Sequence, residues 1–413
     1  MTTDANLTRD ERLVKKTSGR AAAETKQTLD MLRARPDYTG AFDYFLELAE
    51  TGCDTKAVSE RTRRRVVSLL CVQAPIELIH AAGFHPLKIW SGSSAACNFA
   101  SPGFPALMCP MLKAVCGAIR MNGVSNGNWV IPTTCDWVVK FPELASKEGS
   151  PFLERVFWLE LPHLKDEPEG QHKWLDEIFR FKKHLENLGE KISRRSLSES
   201  IKVYGRAWRA LSALSRMRQN GLLASVWFML AAGTFFLDAV ENWTLEAGKV
   251  IASRYGAYLD GARVFLAGSP IFFPNLKLPL LAEEAGLSVV ADDLCSSERV
   301  IPGAVTFGDE SEFGMMEALA ERYHQACLCP TFIDNDRRVN NILGRRPEAY
   351  FDGVVFHVLK GCHPYDIESS GLEAELKSRG LRFIRLETDY ASEDDRNLFA
   401  RLEAFRNTLG ARA

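Results

Sequence analysis

The chain has 413 residues, long for one hydrophobic core, so two or three domains are expected. Its 51 basic residues nearly balance 53 acidic ones, for a formal net charge of −2, and the composition carries no electrostatic footprint for nucleic acid. Residues 1–27 lack the apolar stretch of a secretory signal, which points to the cytoplasm, where the ten cysteines stay reduced and serve packing, metal binding or redox chemistry.

In chain order, residues 1–35 predict a solvated helical lead, and Phe42, Tyr44, Phe45, Leu46 and Leu48 mark an amphipathic helix over 40–51. The basic run Arg61 to Arg65 is short and reads as a solvated helix face, not a phosphate site. A helix with Pro75 near its first turn and Gly83 at its end leads to a strand at 87–90. Then come a helix after Cys109, a strand at 129–131, a helix after Cys135 and a strand at 156–159. Short buried strands alternating with helices predict a parallel α/β lobe, Rossmann-like in the loose sense. No GxGxxG fingerprint is present, so no dinucleotide is implied.

Residues 172–191 predict a charged amphipathic helix, and Ser196 with Glu199 reads as a capping box opening another helix through Arg218. The uncharged run at 221–237 is the one membrane candidate; at the lower length limit for a span, it reads better as a buried helix between domains. Strands at 263–270, 287–291 and 353–359 and a last one over 381–390, with intervening helices at 310–324 and 335–343, predict a second α/β lobe. The fold class is therefore α/β, with two parallel-sheet lobes: a helical region over 1–60, the first lobe at 61–165, a helical connector at 166–256 and the second lobe at 257–413.

Cysteines punctuate this pattern. Cys109, Cys135 and Cys362 each end an apolar run and precede a helical segment, which would set three sulfurs at helix N-termini, where unpaired N–H groups and the helix dipole favour negative charge. Cys109, Cys135, Cys295 and Cys362 are expected beyond the carboxyl ends of strands, where ligands of such sheets bind. No CxxC pair occurs, and the closest spacing is Cys327-Leu328-Cys329, so ordinary burial stays open as the alternative for any one of them.

Several segments together resemble one superfamily. These are Pro75-x-Glu77-Leu78-Ile79-x-Ala81-Ala82-Gly83, Cys109-Pro110-x-x-Lys113, Thr133-Thr134-Cys135-Asp136, Asp292-Asp293-x-Cys295, Cys362-His363-x-Tyr365-x-Ile367-Glu368-Ser369 and Glu387-Thr388-Asp389-Tyr390. In this order they look like the 2-hydroxyacyl-CoA dehydratase and benzoyl-CoA reductase superfamily, over roughly residues 60–410. The resemblance implies an oxygen-sensitive iron–sulfur enzyme subunit in which Cys109, Cys135 and Cys362 bind a [4Fe-4S] cluster with one iron open. It implies a homo- or heterodimer with a related subunit, and a separate ATP-hydrolysing activator that delivers electrons at low potential. The absence of a GxxxxGK[ST] phosphate loop here fits the receiving component. The chemistry expected is single-electron reduction of a CoA thioester carbonyl, with His363 as a candidate catalytic donor or cluster-tuning residue.

One branch of the superfamily holds a double-cubane [8Fe-9S] cluster and reduces small molecules, with further cysteines at positions like Cys71, Cys295 and Cys329. Trp137-Val138-Val139 departs from that branch's usual sequence, and no cysteine occurs in 121–128 where the branch has one. Cys53, Cys97, Cys116 and Cys327 are assigned to packing. Two other readings remain: a non-catalytic two-lobed binding or scaffold subunit, which the three ligand-type cysteines disfavour, and a zinc-stabilised protein, which the lack of CxxC pairs disfavours. No membrane or nucleic-acid partner is expected.

Overall fold

A computed structural model describes residues 8–122, 127–147, 156–253, 261–301, 303–333 and 336–410. The expected boundary at 256/257, the very start of the helical lead and much of the segment at 121–128 lie outside the described residues. Among the described residues, eight strands form two four-stranded sheets, each wholly parallel. The first contains β1 (Val66–Leu69), β2 (His85–Lys88), β3 (Asn128–Pro132) and β4 (Val156–Leu159), in the order β2-β1-β3-β4. The second contains β5 (Ala262–Gly268), β6 (Leu287–Asp292), β7 (Gly353–Leu359) and β8 (Arg382–Thr388), in the order β6-β5-β7-β8.

Each strand is short, running four to seven residues. Both orders contain one reversal of winding, between β1 and β3 in the first sheet and between β5 and β7 in the second. Adjacent crossovers leave from opposite faces there and open a crevice at the strands' carboxyl ends.

The amino-terminal helix Arg9–Arg33 opens with a capping box, Thr8 with Glu11, and lies mostly in solvent, yet Leu29 and Leu32 are buried. Its Glu24 accepts from Ser93 Oγ and Ala95 N–H, at 2.6 and 2.9 Å, at the start of helix Ser94–Ala100. The expected connector helices are present as Pro168–Leu188 and Arg194–Gln219. The capping box of the second is Ser193 with Ser196, three residues earlier than the sequence suggests, because Ser193 alone has the extended backbone of a cap. The uncharged run contains helix Ser225–Gly233, whose residues 225–232 are all buried, with Trp227 stacked on Phe42 at 4.4 Å. No helix among the described residues is long and apolar enough to cross a membrane.

The arginine run is not a solvated helix face. Helix Thr55–Thr62 ends at Arg63, β1 begins at Val66, and Arg61, Arg64 and Arg65 donate to the carbonyls of Leu237, His80 and Leu188 at 2.7, 3.0 and 2.6 Å. Three carbonyls at or near helix ends thereby gain charge-assisted donors, which draws the run onto the helical region. One continuous apolar core includes Val67 and Leu69 of β1, Val264 and Leu266 of β5 and most of the connector helices. The sheets come close at Gly92, where a Cβ would meet the carbonyl oxygen of Phe272 at 2.0 Å.

Candidate metal centre

Cys109, Cys135 and Cys362 sit where helices Pro110–Asn122, Asp136–Lys147 and His363–Ser378 begin. Their carbonyls accept the first helical bonds, from Lys113, Val139 and Asp366 at 3.3, 3.0 and 3.1 Å, so each cysteine is an N-cap. Pro110 and Pro364, in the first turns of two of these helices, fix the backbone for helix entry without wasting a donor. Cys135 lies beyond β3 and Cys362 beyond β7, each on one side of its sheet's winding reversal. Cys109 differs from the expectation: no strand precedes it, and it follows a 3-10 turn at Ser101–Gly103 within the crossover from β2 to β3.

The structure brings these three residues together. The thiols of Cys362 and Cys109 are in hydrogen-bonding contact, and Cys135 is an electrostatic neighbour of Cys362. Cys109 packs in an apolar cluster with Cys97, Leu359 and Tyr390, against which Cys362 and Trp137 rest. Gly361 makes the approach possible, since its φ of +76° suits glycine and a Cβ there would lie 2.2 Å from the Leu107 carbonyl.

The bond to Cys109, together with burial, pushes the Cys362 thiol well up. Burial pushes Cys135 up to about 11, although the N–H groups of Val138 and Trp137 face its sulfur and oppose the shift. Without metal these sites hold neutral thiols; a metal would displace their protons and use the same N–H groups to stabilise thiolate. Among the described residues no three His, Cys, Asp or Glu side chains close around a single ion. A cubane assigns each cysteine to a separate iron, so it does not need that close spacing.

Two buried donors strengthen the fit. Tyr390 Oη and Trp137 Nε1 both border the cysteines, and neither meets a hydrogen-bond partner among the described residues. A cavity of about 440 Å³ opens beside Cys135, lined by Trp137, His163, Thr331, Ile333, His363 and Glu368 among others. His363 stands at the start of its helix with its ring 6.0 Å from that of Trp137. His163 Nδ1 contacts the Thr331 carbonyl at 2.7 Å, Ile333 N–H donates to the His163 carbonyl at 3.2 Å, and Thr331 Oγ1 donates to the Thr134 carbonyl. These bonds fasten a second-lobe loop to the first lobe, so both walls of the cavity are tied.

A second group of cysteines lies in the same junction. Cys71 follows β1, Cys295 follows β6, and Cys71 is an electrostatic neighbour of Cys295 and Cys327, as Cys329 is of Cys327 and Cys71. Burial, reinforced by Cys295, pushes the Cys71 thiol up to about 12. Three cations donate to carbonyls of the loops carrying these sulfurs: Lys88 Nζ to Cys295 at 2.9 Å, Lys165 Nζ to Cys327 at 2.8 Å and Arg299 Nε to Asp293.

Cys327, assigned to packing in the sequence, is thus placed with Cys71, Cys295 and Cys329, and Gln73 Nε2 donates to its sulfur. The signal was available, because residues two apart in an extended segment face the same way, and Cys327 and Cys329 lie in a stretch without helix. Cys53 donates to the Lys88 carbonyl at 3.4 Å, while Cys116 is fully enclosed in the core.

Comparison with known proteins identifies the family. The family described as 2-hydroxyglutaryl-CoA dehydratase, D-component, matches residues 71–409. The chain is 26% identical to the putative dehydratase subunit YjiM of Escherichia coli (strain K12), over 90% of this chain and 99% of that protein. It is 22% identical to the beta subunit of (R)-2-hydroxyglutaryl-CoA dehydratase of Acidaminococcus fermentans, over 84% of this chain and 93% of the relative. It is 26% identical to one of the subunits of the benzoyl-CoA reductase of Thauera aromatica, over 78% of this chain and 84% of the relative. With the family match covering most of the chain and every cysteine of the two groups, the chain belongs to the 2-hydroxyglutaryl-CoA dehydratase D-component family.

Proposed function

We propose that this protein is the iron–sulfur subunit of a 2-hydroxyacyl-CoA dehydratase or benzoyl-CoA reductase type of enzyme, with Cys109, Cys135 and Cys362 holding a [4Fe-4S] cluster. The observation that carries the reading is the meeting of three N-cap cysteines beside a cavity of about 440 Å³ walled by both lobes. Such a cluster would supply single electrons at low potential and an open iron able to polarise a thioester oxygen.

The chain's own residues do the rest. Helix N-termini offset the negative charge of the thiolates. Trp137, with Ile333 and Ile367 at an exposed rim, gives the cavity an apolar wall on which a substrate can rest. His363 and His163 both line the cavity and are the candidate proton donors to a departing hydroxyl or a reduced ring. The relatives are named as individual subunits of their enzymes, which supports assembly with a related subunit. An ATP-hydrolysing activator is the proposed electron source, and the cytoplasm the proposed location.

Anaerobic purification with iron and sulfide analysis and an absorption spectrum tests the reading. The expected preparation is brown with about four irons per chain; a folded, colourless, iron-free one would sink it. A second reading, a double-cubane reductase of small molecules, is favoured by Cys71, Cys295, Cys327 and Cys329 converging under Lys88, Lys165 and Arg299. It requires about eight irons per chain.

A further inference from the structure

Tyr390 has a buried hydroxyl that the fold leaves without a partner. It lies just past β8, whose last residue, Thr388, pairs with Leu359 at the end of β7. Three residues after Leu359 comes Cys362, so the sheet's register itself delivers Tyr390 to the cysteines. The residue is 7% exposed and packs with Cys97, Cys109, Leu359, Ala96 and Ala114. Cys109, Cys97 and Cys362 are its electrostatic neighbours. No oxygen, nitrogen or sulfur acceptor among the described residues is in hydrogen-bonding position to its Oη, not even a cysteine sulfur.

Buried hydroxyls are almost always satisfied, and an exception beside a ligand-type cluster points to an acceptor the protein does not itself provide. A phenylalanine would fill the same apolar niche without that unsatisfied group. Tyr390 is absent from the lining of the cavity, so its hydroxyl serves the protein side of the cysteine set and not the substrate side.

We propose that Tyr390 Oη donates a hydrogen bond to an inorganic sulfide of the iron–sulfur group held by Cys109, Cys135 and Cys362, and is a positioning residue that raises its reduction potential. The inference rests on the iron–sulfur reading above. A donor to a cluster sulfide favours the reduced state, which carries one more negative charge.

The test is an anaerobic redox titration, followed by electron paramagnetic resonance, of the unsubstituted protein and Tyr390→Phe. Iron content and melting temperature should be retained, and the one-electron reduction equilibrium should become about tenfold less favourable, or about 59 mV lower. An unchanged potential in an iron-replete Tyr390→Phe protein overturns the inference and leaves the iron–sulfur reading standing. Absence of iron from the unsubstituted protein removes both. If Tyr390→Phe fails to hold iron, 3-fluorotyrosine at position 390 decides, because it is a stronger donor of nearly the same size. A raised potential supports the bond, and no change refutes it.

Discussion

At the scale of single residues, the two cysteine groups call for different outcomes. Cys109→Ser and Cys135→Ser should each abolish activity and cluster binding with little change in fold, because both residues cap helices at the edge of the core and serine caps a helix well. Iron analysis and far-UV circular dichroism check this, and full iron in either variant would remove that cysteine from the ligand set. Cys295→Ala separates the two readings of the second group. If the group holds a cubane, iron falls by roughly half while the first three cysteines keep theirs; if it is packing, iron does not move and stability drops by about 1 kcal/mol. Cys327→Ala belongs in the same experiment, because Cys327 is placed beside the other three.

At the scale of elements, the turn from β7 into helix His363–Ser378 is the tightest constraint on the centre. Gly361→Ala puts a Cβ at a φ of +76° and 2.2 Å from the Leu107 carbonyl. The expected cost is roughly 1–3 kcal/mol in denaturant unfolding, together with loss of iron, since Cys362 can no longer close on Cys109. Two strands also carry a pH dependence. His85, opening β2, meets the Phe236 carbonyl at 2.8 Å, and His357 in β7 is held between the Ser269 carbonyl and Thr388 Oγ1 at 2.9 and 2.7 Å. Burial pushes both down to about 4 from an ordinary 6.5. On acidification the unfolded chain binds these protons first, so stability is complete above about pH 6.5 and is lost towards pH 4, by about 3 kcal/mol per histidine. Unfolding midpoints measured across that window should fall, and His357→Gln should flatten part of the slope.

For the whole molecule, the helical connector and the second sheet are joined by a buried ion pair. Arg218, near the end of helix Arg194–Gln219, meets Asp292 at the end of β6 at 2.6 Å with both side chains fully buried, and also pairs with Glu298. Arg218→Met would leave the buried Asp292 without its cation, while Glu298 keeps its pair with Arg345. The expected loss is about 3–5 kcal/mol, read from chemical denaturation, and a loss below about 1 kcal/mol would mean that water replaces the guanidinium.

Much of this architecture is legible in the sequence, because strand and helix are local. The alternation of short apolar runs with amphipathic segments predicts β2 to β8 close to their observed places, and the Cys-helix junctions follow from Pro110, Pro364 and the acidic first turn at Asp136. β1 escapes, because the arginines before it read as a helix face and no strand is expected at 66–69. That run is misread because its partners, the carbonyls of Leu237, His80 and Leu188, are distant in sequence for two of the three.

The strand orders, and hence the reversals that set β1 next to β3 and bring Ser269 beside Cys362, come only with the tertiary fold, since strand adjacency depends on which way each crossover packs. The same holds for the second cysteine group and for the unsatisfied Tyr390 hydroxyl. Residue spacing along the chain determines which sulfurs cap helices; which sulfurs meet, and which buried donor is left facing them, is decided by the pairing of elements far apart in sequence.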